Sequence, residues 1–231
     1  RIFQVGGAQA IAAMAWGTRT IPKVDKICGP GNIFVMLAKK TVYGTVAIDG
    51  LYGPTETVIL ADDSADPALC AADLLAQAEH DPMASALMVT TSTTLSKKVS
   101  REVEKQLKSL ERQQIARESI KTRGGIAVVD TLEEAIDLVN HYAPEHLCLM
   151  VEDAWNYVGQ IRHAGGIFLG ESSPEAIGDY TAGPSHVMPT GGSAHFGSPL
   201  GVEDFVKSTS LVALNEAALN RVGPAASIIA R

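Results

Sequence analysis

From residue 57 onward the apolar positions switch between two periods. Short runs, TVILAD (57–62), ALMVTT (86–91), IAVV (126–129), LCLMV (147–151) and GIFLG (166–170), have the length and composition of buried strands. The segments between them change to a helical period. Asp66 supplies an N-cap and Pro67 a first helical residue, so a helix is predicted from there to near His80. Leu95, Val99, Val103, Leu107 and Leu110 fall on one stripe of a long amphipathic helix. Thr131-x-x-Glu134 reads as a capping box, followed by an apolar face of Leu132, Ala135, Ile136 and Val139. A short helix is expected around Trp155 to Ile161, between the last two strands.

Strands alternating with helices of about 10–15 residues predict a mainly parallel, doubly wound sheet. Residues 1–56 read as a second, smaller α/β piece: a helix from Ala8 to Trp16 ending at Gly17, a strand around Ile27, the turn CGPGN, and a helix from Ile33 to Tyr43. After Gly165, glycine and proline become dense, and GDYTAGPSHVMPTGG is expected to be a long loop; such loops in compact domains usually carry function. The fold class is therefore α/β, with two Rossmann-like pieces. Residues 1–56 form a cofactor-side part, 57–200 the main domain, and 201–231 the start of a C-terminal region. With no initiating methionine and no polar tail, the chain is expected to be a piece of a longer protein.

Composition narrows the class of function. Of 231 residues, 46% are apolar and 19% charged, which suits a globular chain rather than a disordered one. No apolar run reaches the roughly 18–20 residues that span a bilayer. A net charge of −7 without a basic stripe argues against a nucleic-acid partner. The three cysteines, Cys28, Cys70 and Cys148, have no C-x-x-C spacing and lie in apolar surroundings. Buried reduced thiols and a cytoplasmic location are expected.

Four stretches carry polar residues where chemistry needs them, and each also has a plainer reading. Gln77 and His80 are one helical turn apart in QAEHDP and share a face, which suits a metal site or an ordinary polar helix end. CGPGN (28–32), between strand and helix, could cradle a phosphate or simply turn the chain. Glu145 and His146 in APEHL, between a helix and a strand, form a candidate acid–base pair or a polar loop at a strand mouth. Asp179 and His186 lie in the glycine-rich segment, where Asp179 could ligate a metal or cap a turn.

Taken together and in order, VGGAQAIAAMAWGT, PKVDKICGPGN, GPTE, QAEHDP, APEHL and GDYTAGPSHVMPTGG closely resemble the histidinol dehydrogenase family over essentially the whole chain. The resemblance implies oxidation of L-histidinol to L-histidine through histidinal, with two hydrides passed to two NAD molecules and one zinc ion per site. It implies Gln77, His80 and Asp179 as zinc ligands that also meet substrate, and Glu145 and His146 as the acid–base pair. By the same resemblance His146 and His186 contact substrate, while Gln9 and Asn32 contact the dinucleotide. Thr55 stands where many members have serine, keeping a hydroxyl for substrate. The family's N-terminal portion is missing here. So is its C-terminal tail, with a substrate-contacting glutamate and a histidine that is the fourth zinc ligand, reaching into the neighbouring subunit of a homodimer. A zinc hydrolase and a non-catalytic truncated relative are the rival expectations.

Overall fold

The computed structural model describes all 231 residues. The chain divides into two compact units, Arg1–Gly201 and Val202–Arg231. Five strands form the main sheet of the first unit: β3 (Glu56–Ala61), β4 (Ser85–Thr90), β5 (Gly125–Val128), β6 (His146–Met150) and β7 (Gly166–Leu169). They lie in the order β5-β4-β3-β6-β7, and every pairing is parallel. Successive strands move outward from β3 to one edge, then restart beside it with β6. That reversal is the signature of a doubly wound sheet.

Both faces of this sheet are covered, so its central strands are apolar on both sides. In β3, Ile59 and Ala61 join Met88, Cys148 and Met150 under α3 (Pro67–Ala78), α4 (Thr93–Gln106) and α5 (Gln113–Arg123). Val58 and Leu60 face the other way, with Val89, Leu147 and Leu149, against α6 (Leu132–Tyr142). The helix starts follow the local rules. Asp66 accepts from the Ala68 N–H at 2.7 Å, Ser92 from Leu95 at 3.0 Å, and Thr131 from Glu134 at 3.2 Å.

The smaller sheet pairs β1 (Lys26–Ile27) with β2 (Ala47–Ile48) beside α1 (Gly7–Trp16) and α2 (Ile33–Val42). Ile11, Ala15, Ile27, Val42 and Val46 form its own core. In the second unit, Asn215 caps α8 (Glu216–Ile229), which contains Pro224 and buries none of its side chains.

Three elements differ from the sequence-based expectation. The stripe predicted as one long helix ends at Gln106. Leu107–Ser109 is a 3₁₀ turn, and α5 follows as a separate helix. The segment expected as a loop contains α7 (Glu175–Tyr180), so Asp179 stands on a short helix. Around Trp155 there are two 3₁₀ turns, Ala154–Asn156 and Val158–Gln160, rather than an α-helix. No helix is long and apolar enough to cross a membrane.

Candidate active site

A cleft of about 800 Å³ gathers Asn32, Thr55, Gln77, His80, Glu145, His146, Asp179 and His186 from five separate stretches of the chain. Gln9 is not among its lining; it lies exposed on α1. The cleft opens at the amino ends of β3 and β6, where α3 and α6 finish. That edge is opposite to the carboxyl edge where open α/β sheets usually take ligands.

Local geometry sets the acid–base pair in place. α6 ends with Ala143 in a left-handed conformation (φ 55°), which turns the chain sharply into Pro144, Glu145 and His146. The neighbouring entry to β7 runs close by: Gly165 donates to the Pro144 carbonyl at 2.9 Å and Gly166 to that of Glu145 at 2.8 Å. A Cβ on Gly165 would come within 2.6 Å of the Glu145 carbonyl oxygen, so glycine is required there.

His146 is buried, and its Nδ1 lies 3.1 Å from the Glu56 carbonyl oxygen. A carbonyl only accepts, so Nδ1 carries the proton and Nε2 the lone pair. That Nε2 is buried without a partner. Burial above all pushes the imidazole's pKa down, with the hydrogen bond to Glu56 opposing, so the ring is neutral at physiological pH. Glu145 is buried beside it, accepting from the Thr55 hydroxyl at 2.5 Å and the Glu56 N–H at 3.0 Å. Burial pushes its pKa up to about 8, although those two hydrogen bonds pull the other way. The site thus holds an unpaired imidazole lone pair next to an unusually basic carboxyl group.

The residues suited to a metal show the matching preparation. His80 Nδ1 is 2.8 Å from the Ala76 carbonyl, one turn back on α3, which leaves Nε2 with the lone pair. Metal-binding histidines are typically oriented in this way. Gln77 is buried and donates its amide to the Thr55 hydroxyl at 2.7 Å, leaving its oxygen as a donor toward a cation. With the carboxylate of Asp179 this makes an imidazole nitrogen and two oxygens, a set acceptable to zinc. The fit is partial, because nowhere in the chain do three or more His, Cys, Asp and Glu side chains form a metal-binding group.

Two buried carboxyl groups stand one helical turn from site residues and escaped the sequence reading. Asp73 lies one turn before Gln77 on α3, and Glu175 one turn before Asp179 on α7. Glu175 accepts from the Thr57 hydroxyl, and burial raises both acids' pKa values. The i, i+4 spacing was the available signal, but for Glu175 it becomes visible only once α7 is recognised as a helix.

The glycine turn and the loop before β3 complete the cleft lining. Asn32 Oδ1 caps α2, accepting from Phe34 at 3.1 Å and Val35 at 3.2 Å. Gly31 is packed so closely that a Cβ would meet Val35 at 2.7 Å. In the same lining, Gly53 donates to the Thr190 hydroxyl at 2.6 Å.

A doubly wound α/β chain of this kind has the fold of aldehyde dehydrogenases: an acetylating aldehyde dehydrogenase from Geobacillus thermoglucosidasius superposes with a TM-score of 0.56 at 13% identity, covering 89% of this chain and 60% of that one. The family is narrower. The histidinol dehydrogenase pattern matches residues 1–231, and the chain belongs to that family. The histidinol dehydrogenase of Deinococcus radiodurans is 55% identical over all of this chain and 53% of its own length. The crystal structure of histidinol dehydrogenase from Elizabethkingia anophelis is 40% identical with a TM-score of 0.93, again over all of this chain and 53% of that one. The chain therefore spans about half the length of these relatives.

Proposed function

We propose that the protein to which this chain belongs is an NAD-dependent histidinol dehydrogenase, which oxidises L-histidinol to L-histidine through histidinal with zinc at the site. The observation that carries this reading is the orphaned Nε2 of neutral His146, beside the basic carboxyl of Glu145 and in one cleft with Gln77, His80 and Asp179. Zinc, when bound, would be held by those three residues and would supply Lewis-acid polarisation and a grip on the substrate's imidazole and amine.

The chain's own groups divide the proton transfers. His146 Nε2 takes the hydroxyl proton of histidinol as the C–H hydride departs to NAD, giving the aldehyde. Glu145, in its ionised form, then removes a proton from water as the water oxygen bonds to the aldehyde carbon, and the proton held by His146 passes to the former carbonyl oxygen, giving a gem-diol. Loss of a second hydride and a proton from that diol yields the carboxylic acid. His186 and Thr55 line the cleft as substrate contacts; Asn32, and Gln9 in the longer protein, serve the dinucleotide. A homodimer and a cytoplasmic location complete the proposal.

The test is incubation of the full-length protein with histidinol, NAD and zinc, following NADH absorbance. Two NADH per histidine formed is the expected stoichiometry. Hydrolysis of simple esters without NADH formation would reject a dehydrogenase in favour of a hydrolase.

A further inference from the structure

A buried ion pair is bonded to two of the segments that line the cleft. Lys39 on α2 has a side chain 2% exposed, and that of Asp49, just after β2, is fully buried. The Asp49 carboxylate accepts from the Lys39 ammonium, from the Gly29 N–H at 2.6 Å and from the Gly50 N–H at 2.8 Å. The ammonium also donates to the Gly29 carbonyl at 3.0 Å and stands 5.1 Å from the centroid of the Tyr52 ring. One ion pair therefore holds both polar ends of Gly29 and the start of the loop that carries Tyr52.

What these segments carry is the cleft wall. Pro30, Gly31 and Asn32 follow Gly29 directly, and Tyr52 and Gly53 stand in the same lining. Gly29 itself adopts φ +124°, a conformation other residues rarely take, and a glycine's wide backbone freedom makes the bonds to Lys39 and Asp49 the groups that define it. Stability alone does not account for the pair, since well-packed apolar residues often replace a buried ion pair without loss. Nor does it add net charge to the cleft wall, because the two charges offset each other. Its remaining consequence is shape.

We propose that Lys39 and Asp49 are positioning residues that hold the Gly29–Asn32 turn in the form that receives the dinucleotide. The assignment rests on the proposed function, which places NAD at this end of the cleft. The test is the double variant Lys39→Met/Asp49→Leu in the full-length enzyme, which removes both charges together and leaves neither unpaired. The KM for NAD should rise by about tenfold or more, as misplacement of a binding group predicts. The KM for histidinol and the zinc content should stay within twofold, and hydrogen exchange at Gly29 and Gly31 should accelerate. A folded double variant with an unchanged KM for NAD overturns the assignment. If the double variant does not fold, Asp49→Glu keeps both charges and shifts the carboxylate by one methylene; it too should raise the KM for NAD selectively, and an unchanged value overturns the assignment. If the unaltered enzyme reduces no NAD, the functional reading fails first. The pair is then judged on exchange alone, and unchanged protection of Gly29 and Gly31 in the folded variant used overturns it.

Discussion

At the scale of single residues, the chemistry depends on how two neighbours are solvated. His146 is kept neutral by burial and given a fixed tautomer by the Glu56 carbonyl, while Glu145 is kept basic by the same burial. Replacing Glu145 with Gln in the full-length enzyme should slow oxidation of histidinal by about 10²–10⁴-fold and that of histidinol much less, because only the aldehyde step needs water activated. Separate rate measurements on the two substrates decide it; equal small losses in both would remove Glu145 from the mechanism. Glu145 also makes a pH prediction for stability. The folded chain keeps this proton up to about pH 8, whereas the unfolded chain releases it near the ordinary value of 4.5. Folding therefore takes up a proton in that window, and the stabilisation present below it is lost as pH rises toward 8. At about 1.4 kcal/mol per unit the ceiling is roughly 5 kcal/mol. Melting curves of the metal-free chain from pH 5 to 8 should fall with pH, and Glu145→Gln should flatten part of that slope. An unchanged slope would mean that Glu145 titrates normally in the folded state.

At the scale of elements, packing decides which residues matter. Leu95, Val99 and Val103 on α4 are all buried against the sheet, with Val103 8% exposed, while Glu104 beside it faces solvent. Val103→Asp should therefore cost about 3–4 kcal/mol by burying an unpaired charge. Glu104→Lys should change stability by less than about 0.5 kcal/mol, as surface substitutions do. Denaturant titration of both variants checks this; equal effects would contradict the packing of α4. The stripe on α4 was legible because valine and leucine repeat at helical spacing. α5 was not, because it packs through small side chains: Ala116 and Ser119 are its buried residues, and Ser119 donates to the Ala84 carbonyl at 2.8 Å. α7 was hidden by its glycine. Gly178 lets the helix lie against Phe168, whose ring a Cβ would meet at 2.7 Å. A residue that marks a turn in sequence marks a close approach here. Single elements could be read from their own period, but the edge of the sheet that bears the site could not. It depends on how α3, α6 and the strand entries meet in space.

At the scale of the molecule, the metal site tests how much of the function this chain contains. It brings Gln77, His80 and Asp179 to one cleft, each from a different depth of the fold: Gln77 buried, Asp179 half-buried, His80 exposed. The supporting contacts are already made, with Thr55 on the Gln77 amide and the Ala76 carbonyl on His80. Yet an amide oxygen is a weak donor to zinc beside imidazole or thiolate, and only one of the three ligands is a nitrogen. Structural and catalytic zinc sites commonly use three strong protein ligands or more. The 231-residue chain should therefore bind zinc weakly. A protein carried through the full length of its relatives should bind at least about 10–100-fold more tightly, by comparison with the loss of a mere supporting contact. Competition against a chromophoric chelator measures both. The His80→Ala variant of the longer protein is the internal control, and it should lose affinity by at least as much. Equal, tight, stoichiometric binding by the short chain would show that these three ligands suffice and that the rest of the protein is not needed to hold the metal. Tight binding that survives His80→Ala in the longer protein would place the metal elsewhere, and the assignment of Gln77, His80 and Asp179 would fall with it.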